Sequence, residues 1–220
     1  MLSYKIGKIE DLSHIYESYA AEFPADERKS MAQLRALMSG GNYHLILFED
    51  KGFACVYADV NALNQRKKTF VWLDYLVIHR AYQGQGYGSI FFNRLLEIFH
   101  QASIMFIEVE IPDGVDVNRD RRIRYYERLG AKRLPIQYAL PIENGALPMY
   151  LYAKYREDML EDEASRANLK NLIGVDDDLY EAIFEVFQYV HHDHLKLNEI
   201  FALIKLQCPN FEAEMRKIFV

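Results

Sequence analysis

Three glycines on alternate positions, Gly84, Gly86 and Gly88, follow an apolar run from Trp72 to Ile78 and a short polar bend, and they open a segment with helical spacing. A helix N-terminus carries backbone N–H groups with no internal partner and the positive end of the macrodipole, and glycine lets phosphate oxygens come close to that backbone. Strand, glycine loop and helix in this order read as a pyrophosphate cradle. Spacing excludes two common nucleotide loops: the G-x-G-x-x-G pattern fails after its second glycine, and the Gly-Lys-Ser/Thr ending of a phosphate loop is missing. Further along, Glu108 and Glu110 stand on alternate positions of a β-branched segment, Ser103 to Ile111. Alternate positions of a strand share a face, and burying two carboxylates in a sheet core is costly, so that face is expected to open onto a cleft.

Gln83-x-x-Gly86-x-Gly88 after an apolar strand resembles the acetyl-CoA loop of the GNAT acyltransferase superfamily. Downstream, the run Arg121 to Ala131 is similar to the GNAT helix that ends in Tyr-x-x-x-Gly-Phe, with Tyr126 and Gly130 in place and Ala131 where the family usually has phenylalanine. Two motifs in the right order are far more specific than either alone. The resemblance covers roughly residues 3–156 and implies an α/β (α+β) fold, a central mixed, mostly antiparallel sheet flanked by helices. It further implies an N-acetyltransferase that moves an acetyl group from acetyl-CoA to a primary amine of a small molecule or peptide by direct attack.

By the same resemblance the backbones of Leu76, Val77 and Ile78 pair with the pantetheine arm, and Gln83, Gly84, Gln85, Gly86, Tyr87, Gly88 and Ser89 form the pyrophosphate loop. Tyr126 points at the sulfur and is the acid. Glu108, Asp74 and Glu110, in that order, are the candidate bases, since an attacking amine must lose a proton. The segment joining the first two helices lies over the acceptor pocket in this family, which makes Phe23, Glu27 and Arg28 substrate-side candidates. An exposed polar loop with one anchoring phenylalanine accounts for the same three residues. Arg119 stands seven residues before Tyr126, where the family often has asparagine; Asn118 is one position earlier, a departure from the family's pattern. A rival reading is a non-catalytic acyl-CoA-binding regulatory module with the acidic tail as its interaction surface, and a third is a general α/β nucleotide-binding domain.

With 220 residues, half of them hydrophobic, the chain can bury a sizeable core. Its net charge of −6 is uneven: from Glu157 onward there are 14 acidic and 6 basic residues, against 18 and 20 in the first 156. The expected organisation is therefore a domain over residues 1–156 and an acidic helical extension over 157–220. Cys55 and Cys208 lie far apart on apolar segments and read as reduced thiols of a cytoplasmic protein. No stretch approaches the roughly 18 apolar residues of a membrane span. The arginine run from Arg119 to Arg128 reads as a solvated helix face, and no nucleic-acid partner is expected. No metal is expected either, from Asp113, Asp116 and Asn118 or from the crowd of His191, His192, Asp193 and His194. A homodimer is one of the states left open.

Periodicity predicts strands over Tyr4 to Ile9, Tyr43 to Phe48, Gly52 to Val60, Thr69 to Ile78, Ser103 to Ile111, Lys132 to about Leu140 and Met149 to Tyr155. Between them fall helices from Asp11 to about Ala21, from Ser30 to Met38, past the glycine loop with Ile90, Phe91, Leu95, Ile98 and Phe99 inward, and around Tyr126. Glycine at position 52 is expected to supply the positive φ of a hairpin turn, and Asn144-Gly145 marks another turn. In the extension, Asp178-x-x-Glu181 reads as a capping box ahead of a stripe of Leu179, Ile183, Val186, Phe187 and Val190. A further helix is expected through Leu197, Ile200, Phe201 and Ile204.

Overall fold

The computed structural model describes residues 3–25, 27–58, 70–142, 145–156 and 176–191. The expected loop from Asn61 to Lys68, Asn144, His192 to His194, Cys208 and the helix through Leu197 lie outside them. The chain falls into two compact units, Met1–Ala102 and Ser103–Val220.

In the first unit, β1 (Lys5–Ile6), β2 (Tyr43–Phe48), β3 (Gly52–Tyr57) and β4 (Phe70–Ile78) form an antiparallel meander in sequence order. Helices α1 (Leu12–Glu22) and α2 (Met31–Ser39) lie between β1 and β2, and α3 (Tyr87–Ile98) follows β4. Ser30 starts α2 with a reciprocal box: the Gln33 amide donates to its hydroxyl at 3.3 Å, and its own amide donates to the Gln33 side chain at 2.7 Å. Trp72, Tyr19, Phe48, Phe53, Phe91 and Phe92 are fully buried, with the Phe48 and Phe91 rings stacked at 4.8 Å. Of the expected stripe of α3, Phe91 and Leu95 are buried, as is Phe99 just past the helix end, and Phe92 and Leu96 join them; Ile90, in the first turn beside the glycine loop, is 47% exposed.

The hairpin between β2 and β3 corrects one expectation. Positive φ falls on Glu49, at 49°, and Gly52 is already the first residue of β3, opposite Phe48. Glycine is needed there because a Cβ would overlap the Val77 carbonyl oxygen across the β3–β4 pairing. The pairing of β3 with β4 carries a second local feature. Cys55 opposes Tyr75 and Val56 opposes Leu73, so Asp74 is the extra residue of a β-bulge. Bulges re-aim side chains, and this one holds the Asp74 carboxylate at 4% exposure.

In the second unit, the long strand β8 (Gly145–Tyr155) pairs antiparallel with β5 (Ile104–Glu110) on one edge. On its other edge lie β6 (Lys132–Arg133) and β7 (Tyr138–Ile142). The single strand expected from Lys132 to Leu140 is thus two. Leu134 still donates to the Leu151 carbonyl at 2.8 Å, but Pro135 has no N–H to continue the ladder. Helix α4 (Val117–Arg128) connects β5 to β6. The extension contributes α5 (Asp176–Val186), which widens into a π-turn over Phe187–His191. Asp178 lies inside the first turn of α5 and not at its cap. Leu179, Ile183, Val186, Phe187 and Val190 are buried, so the stripe is core. Among the described residues no helix is long and apolar enough to cross a membrane.

Candidate active site

Gly86 is the N-cap of α3 with φ 84°, and Gly84 also has positive φ, 74°. The first bonds of the helix run from the Ser89 and Ile90 amides to the Gly86 carbonyl, at 3.1 and 3.3 Å, so the Tyr87 and Gly88 amides ahead of them have no carbonyl within the helix. Where Gly84 and Gly86 would carry a Cβ there is nothing within 4 Å. Backbone donors, a helix N-terminus and space that side chains would fill are the properties a diphosphate requires, and acetyl-CoA fits this loop.

Two glutamines shape the loop from beneath. Gln83 donates its side-chain amide to the Ile78 carbonyl at 2.9 Å, and Gln85 donates to Ala81 at 2.9 Å. Gln83 therefore fastens the loop to the end of β4. Leu76, Val77 and Ile78 pair with Ala54, Phe53 and Gly52 on β3. Lys51 lies under the loop with its ammonium 5.3 Å from the Tyr82 ring and 5.5 Å from the Tyr87 ring, held at 2.6 and 2.9 Å by Glu49 and Asp50. Nothing in the sequence pattern pointed to that lysine.

Asp74 is committed elsewhere. Both its oxygens take the Lys29 ammonium, at 2.9 and 3.0 Å, and the Tyr43 hydroxyl donates to one of them. Lys29 is itself fixed by its backbone, whose amide donates to the Tyr19 hydroxyl at 2.8 Å. With 12% and 4% of the two side chains exposed, this is a buried ion pair, and removing one partner strands the other. Lys29→Met is expected to lower stability by about 3 kcal/mol, read from chemical denaturation, with Asp74→Asn in the same chain recovering most of it. An unchanged midpoint in the single variant would show the pair to be solvated.

The substrate-side candidates have structural duties. Arg28 donates to the Ala20 carbonyl at 2.7 Å and caps the end of α1. Phe23 packs against Tyr75 and Tyr19, with centroids at 4.7 and 5.5 Å, and the Glu27 carbonyl accepts from the Tyr75 hydroxyl at 3.1 Å. They form an anchored loop.

In the second unit, neither glutamate of β5 opens bare onto a cleft. Glu110 holds Arg122 at 2.6 Å, and Glu108 accepts from the Tyr138 hydroxyl on β7 and has the imidazole Nε2 of His191 3.5 Å from its Oε1. The cost of burying the two carboxylates is offset by these partners. Asp113 and Asp116 serve backbone amides of the loop and of the α4 cap, each bond 2.9 Å, and Arg119 donates to the Ile111 carbonyl at 3.2 Å. Among the described residues no group of three or more His, Cys, Asp or Glu side chains could hold a metal ion.

Tyr126 is placed by the way α4 ends. Gly130, at φ 84°, donates to the Glu127 carbonyl at 3.0 Å, and Ala131 donates to the Tyr126 carbonyl at 3.1 Å, a Schellman ending. Tyrosine and glycine of the motif are thus joined by the cap itself. The Tyr126 ring meets Tyr125 edge-on at 5.1 Å, and burial pushes its phenol up to about 12, with nearby Arg122 opposing and Glu110 adding.

Tyr126 is one of several raised phenols. Burial lifts Tyr152 to about 12 and raises Tyr19, Tyr43, Tyr75, Tyr125 and Tyr155 further above their ordinary 10.0. A folded pKa above the unfolded one stabilises the fold fully below the unfolded value and is lost as pH rises through the folded one. Thermal midpoints are expected to hold up to about pH 10 and fall steeply beyond it, with the tyrosinate absorbance of these buried phenols appearing together with unfolding. Ionisation of these buried tyrosines well before the melt would contradict this.

The fold is shared with an acetyltransferase of the GNAT family from Bacteroides thetaiotaomicron, 24% identical, covering 79% of this chain and 98% of that one at a TM-score of 0.59. It is shared too with Arabidopsis thaliana NAA60, whose crystal structure contains acetyl-CoA, at 14% identity, 70% and 98% coverage and a TM-score of 0.54. In sequence the chain is 27% identical over 113 residues to Bacillus subtilis (strain 168) YjbC, which carries the name acetyltransferase; the match takes in 51% of this chain, which thus spans about half, 54%, of that relative's length. The family model described as "Acetyltransferase (GNAT) family" matches residues 12–131, a stretch that holds the glycine cradle, both β5 glutamates and the capped tyrosine helix. Over more than half its length this chain satisfies that model, and it belongs to the GNAT acetyltransferase family.

Proposed function

We propose that this chain is an N-acetyltransferase that passes an acetyl group from acetyl-CoA to a primary amine of a small molecule or peptide. The observation that carries this reading is the cradle: two left-handed glycines with open space at the N-terminus of α3, on a chain of this family. Acetyl-CoA supplies an activated thioester. The amide groups of Gly84 to Ser89 bind its pyrophosphate, and the backbones of Leu76, Val77 and Ile78 orient the pantetheine arm.

Direct attack forms a C–N bond and breaks the C–S bond, and the amine must shed a proton on the way. Glu108 accepts that proton. Asp74 is held by Lys29 and Glu110 by Arg122, while Glu108 carries a hydrogen bond from the Tyr138 phenol and stands beside the His191 imidazole. Tyr126 donates to the departing sulfur. A phenol near 12 is a weaker acid than an alkyl thiol of about 8.5, so its part is a hydrogen bond to the developing thiolate and not full protonation. The site works in the cytoplasm, where a buried thiol such as Cys55 stays reduced.

The test is coenzyme release against polyamines, aminoglycosides, amino acids and peptides with free N-termini or lysines, paired with calorimetry of acetyl-CoA binding. Turnover of at least one amine class is expected. Tight binding with no turnover on any of them would overturn the enzymatic reading in favour of a regulatory acyl-CoA-binding module.

A further inference from the structure

The family match ends at residue 131, yet a side chain from the extension stands beside the carboxylate assigned as base. The buried stripe of α5 ends in Phe187, fully buried, whose ring meets Tyr138 edge-on at 5.9 Å and His191 at 5.5 Å and 89°. The π-turn then delivers His191 with its side chain 3% exposed and Nε2 3.5 Å from Oε1 of Glu108, itself 6% exposed. The same Oε1 accepts from Tyr138. Nε2 of His191 is buried and makes no hydrogen bond.

A buried ring nitrogen without a hydrogen bond is costly unless something is gained from it, and such atoms are rare in folded proteins. A buried carboxylate, in turn, remains ionised only where donors or positive charge face it. The two needs meet at one oxygen. In proteins without bound substrate, catalytic hydrogen bonds are often long and tighten when the complex forms. π-turns, in addition, gather at functional sites.

We propose that the extension completes the catalytic site: His191 is a positioning residue that, with Tyr138, holds Glu108 ionised and oriented to take the proton of the acceptor amine. This rests on Glu108 being the base. The covalent steps are unchanged; the amine proton moves to the Glu108 carboxylate, and His191 donates through Nε2 without entering a bond-forming step. The extension is then part of the enzyme's machinery and not an appendage. Phe187, buried and with its ring against that of His191, is the contact that keeps the histidine in place.

The experiment uses the full chain in four forms, wild type, His191→Leu, Glu108→Gln and the double variant, with His191→Gln as a fifth that keeps a side-chain donor. It measures kcat on the amine best turned over in the release assay, thermal midpoints, and the ring ¹⁵N resonances of labelled histidine. His191→Leu is expected to lower kcat by roughly tenfold to a hundredfold, what the loss of a hydrogen bond to a charged group amounts to. In the Glu108→Gln background the same change should cost less than about twofold, because the two act as a unit. His191→Gln should recover part of the rate. The His191 ring resonance should move in Glu108→Gln.

Full activity of a folded His191→Leu, or an equal loss in both backgrounds, would overturn the proposal while leaving Glu108 as the base. Wild-type kcat in Glu108→Gln would overturn the base assignment and this inference with it, as would an absence of turnover on every amine. A ring resonance indifferent to Glu108→Gln would sink the contact itself.

Discussion

Tyr126→Phe is expected to lower kcat by about 10² to 10⁴ while acetyl-CoA affinity stays near that of the wild type, the span typical of losing acid–base assistance. The backbone at this position is held by the Schellman bonds from Gly130 and Ala131, and the ring by its edge-on contact with Tyr125, so only the hydroxyl is lost. Because burial keeps the phenol protonated up to about pH 12, its hydrogen bond to sulfur is present throughout the working range, and the defect should be the same at every pH. Glu108→Gln should behave differently. It also lowers kcat, but its defect should shrink as pH rises, since more of the amine is then neutral before it binds. Steady-state rates of both variants with one acceptor across neutral to mildly alkaline pH separate the roles. Near wild-type turnover in both would assign the two residues to structure and leave the coenzyme site untouched.

Gly86→Val should abolish acetyl-CoA binding. At φ 84° a β-branched residue is strained, and its methyl groups would enter the space in which no atom now lies within 4 Å of a Cβ. Strain and obstruction are separable by comparison with Gly86→Ala, which carries a smaller backbone penalty at positive φ and far less bulk. Alanine is expected to lower the thermal midpoint modestly and weaken binding a little. Valine should weaken it at least about a hundredfold, or about 2.7 kcal/mol. Calorimetry with acetyl-CoA decides it, and unchanged affinity in the valine variant would remove the diphosphate from this loop.

Both predictions concern features that the chain writes locally. The glycine loop depends on bonds that close within a few residues, Gln83 to Ile78, Gln85 to Ala81, Ser89 to Gly86, and on glycines where φ must be positive. The Tyr126 helix ends through bonds of the same short range, and α2 starts through a Ser30–Gln33 box. Such features read directly from residue types and spacing because the partners are near in sequence. Element types were legible for the same reason, since a period of 2 or of 3.6 is a local property. At Gly52 the local reading went astray: a turn glycine was expected, and the residue is small because a neighbouring strand's carbonyl lies against it.

What surrounds each carboxylate was decided by the tertiary structure. Asp74 and Lys29 are 45 residues apart, and they meet because a bulge in β4 opposite Cys55 and Val56 turns the carboxylate toward the loop after α1. Glu108 and Tyr138 are 30 residues apart, joined across β8 by strand register. His191 reaches Glu108 only through the docking of α5 and the extra residue of its π-turn. Periodicity determines which face of an element a side chain takes, but which charge it then meets depends on register, bulges and docking, and those follow from the packing of the whole chain.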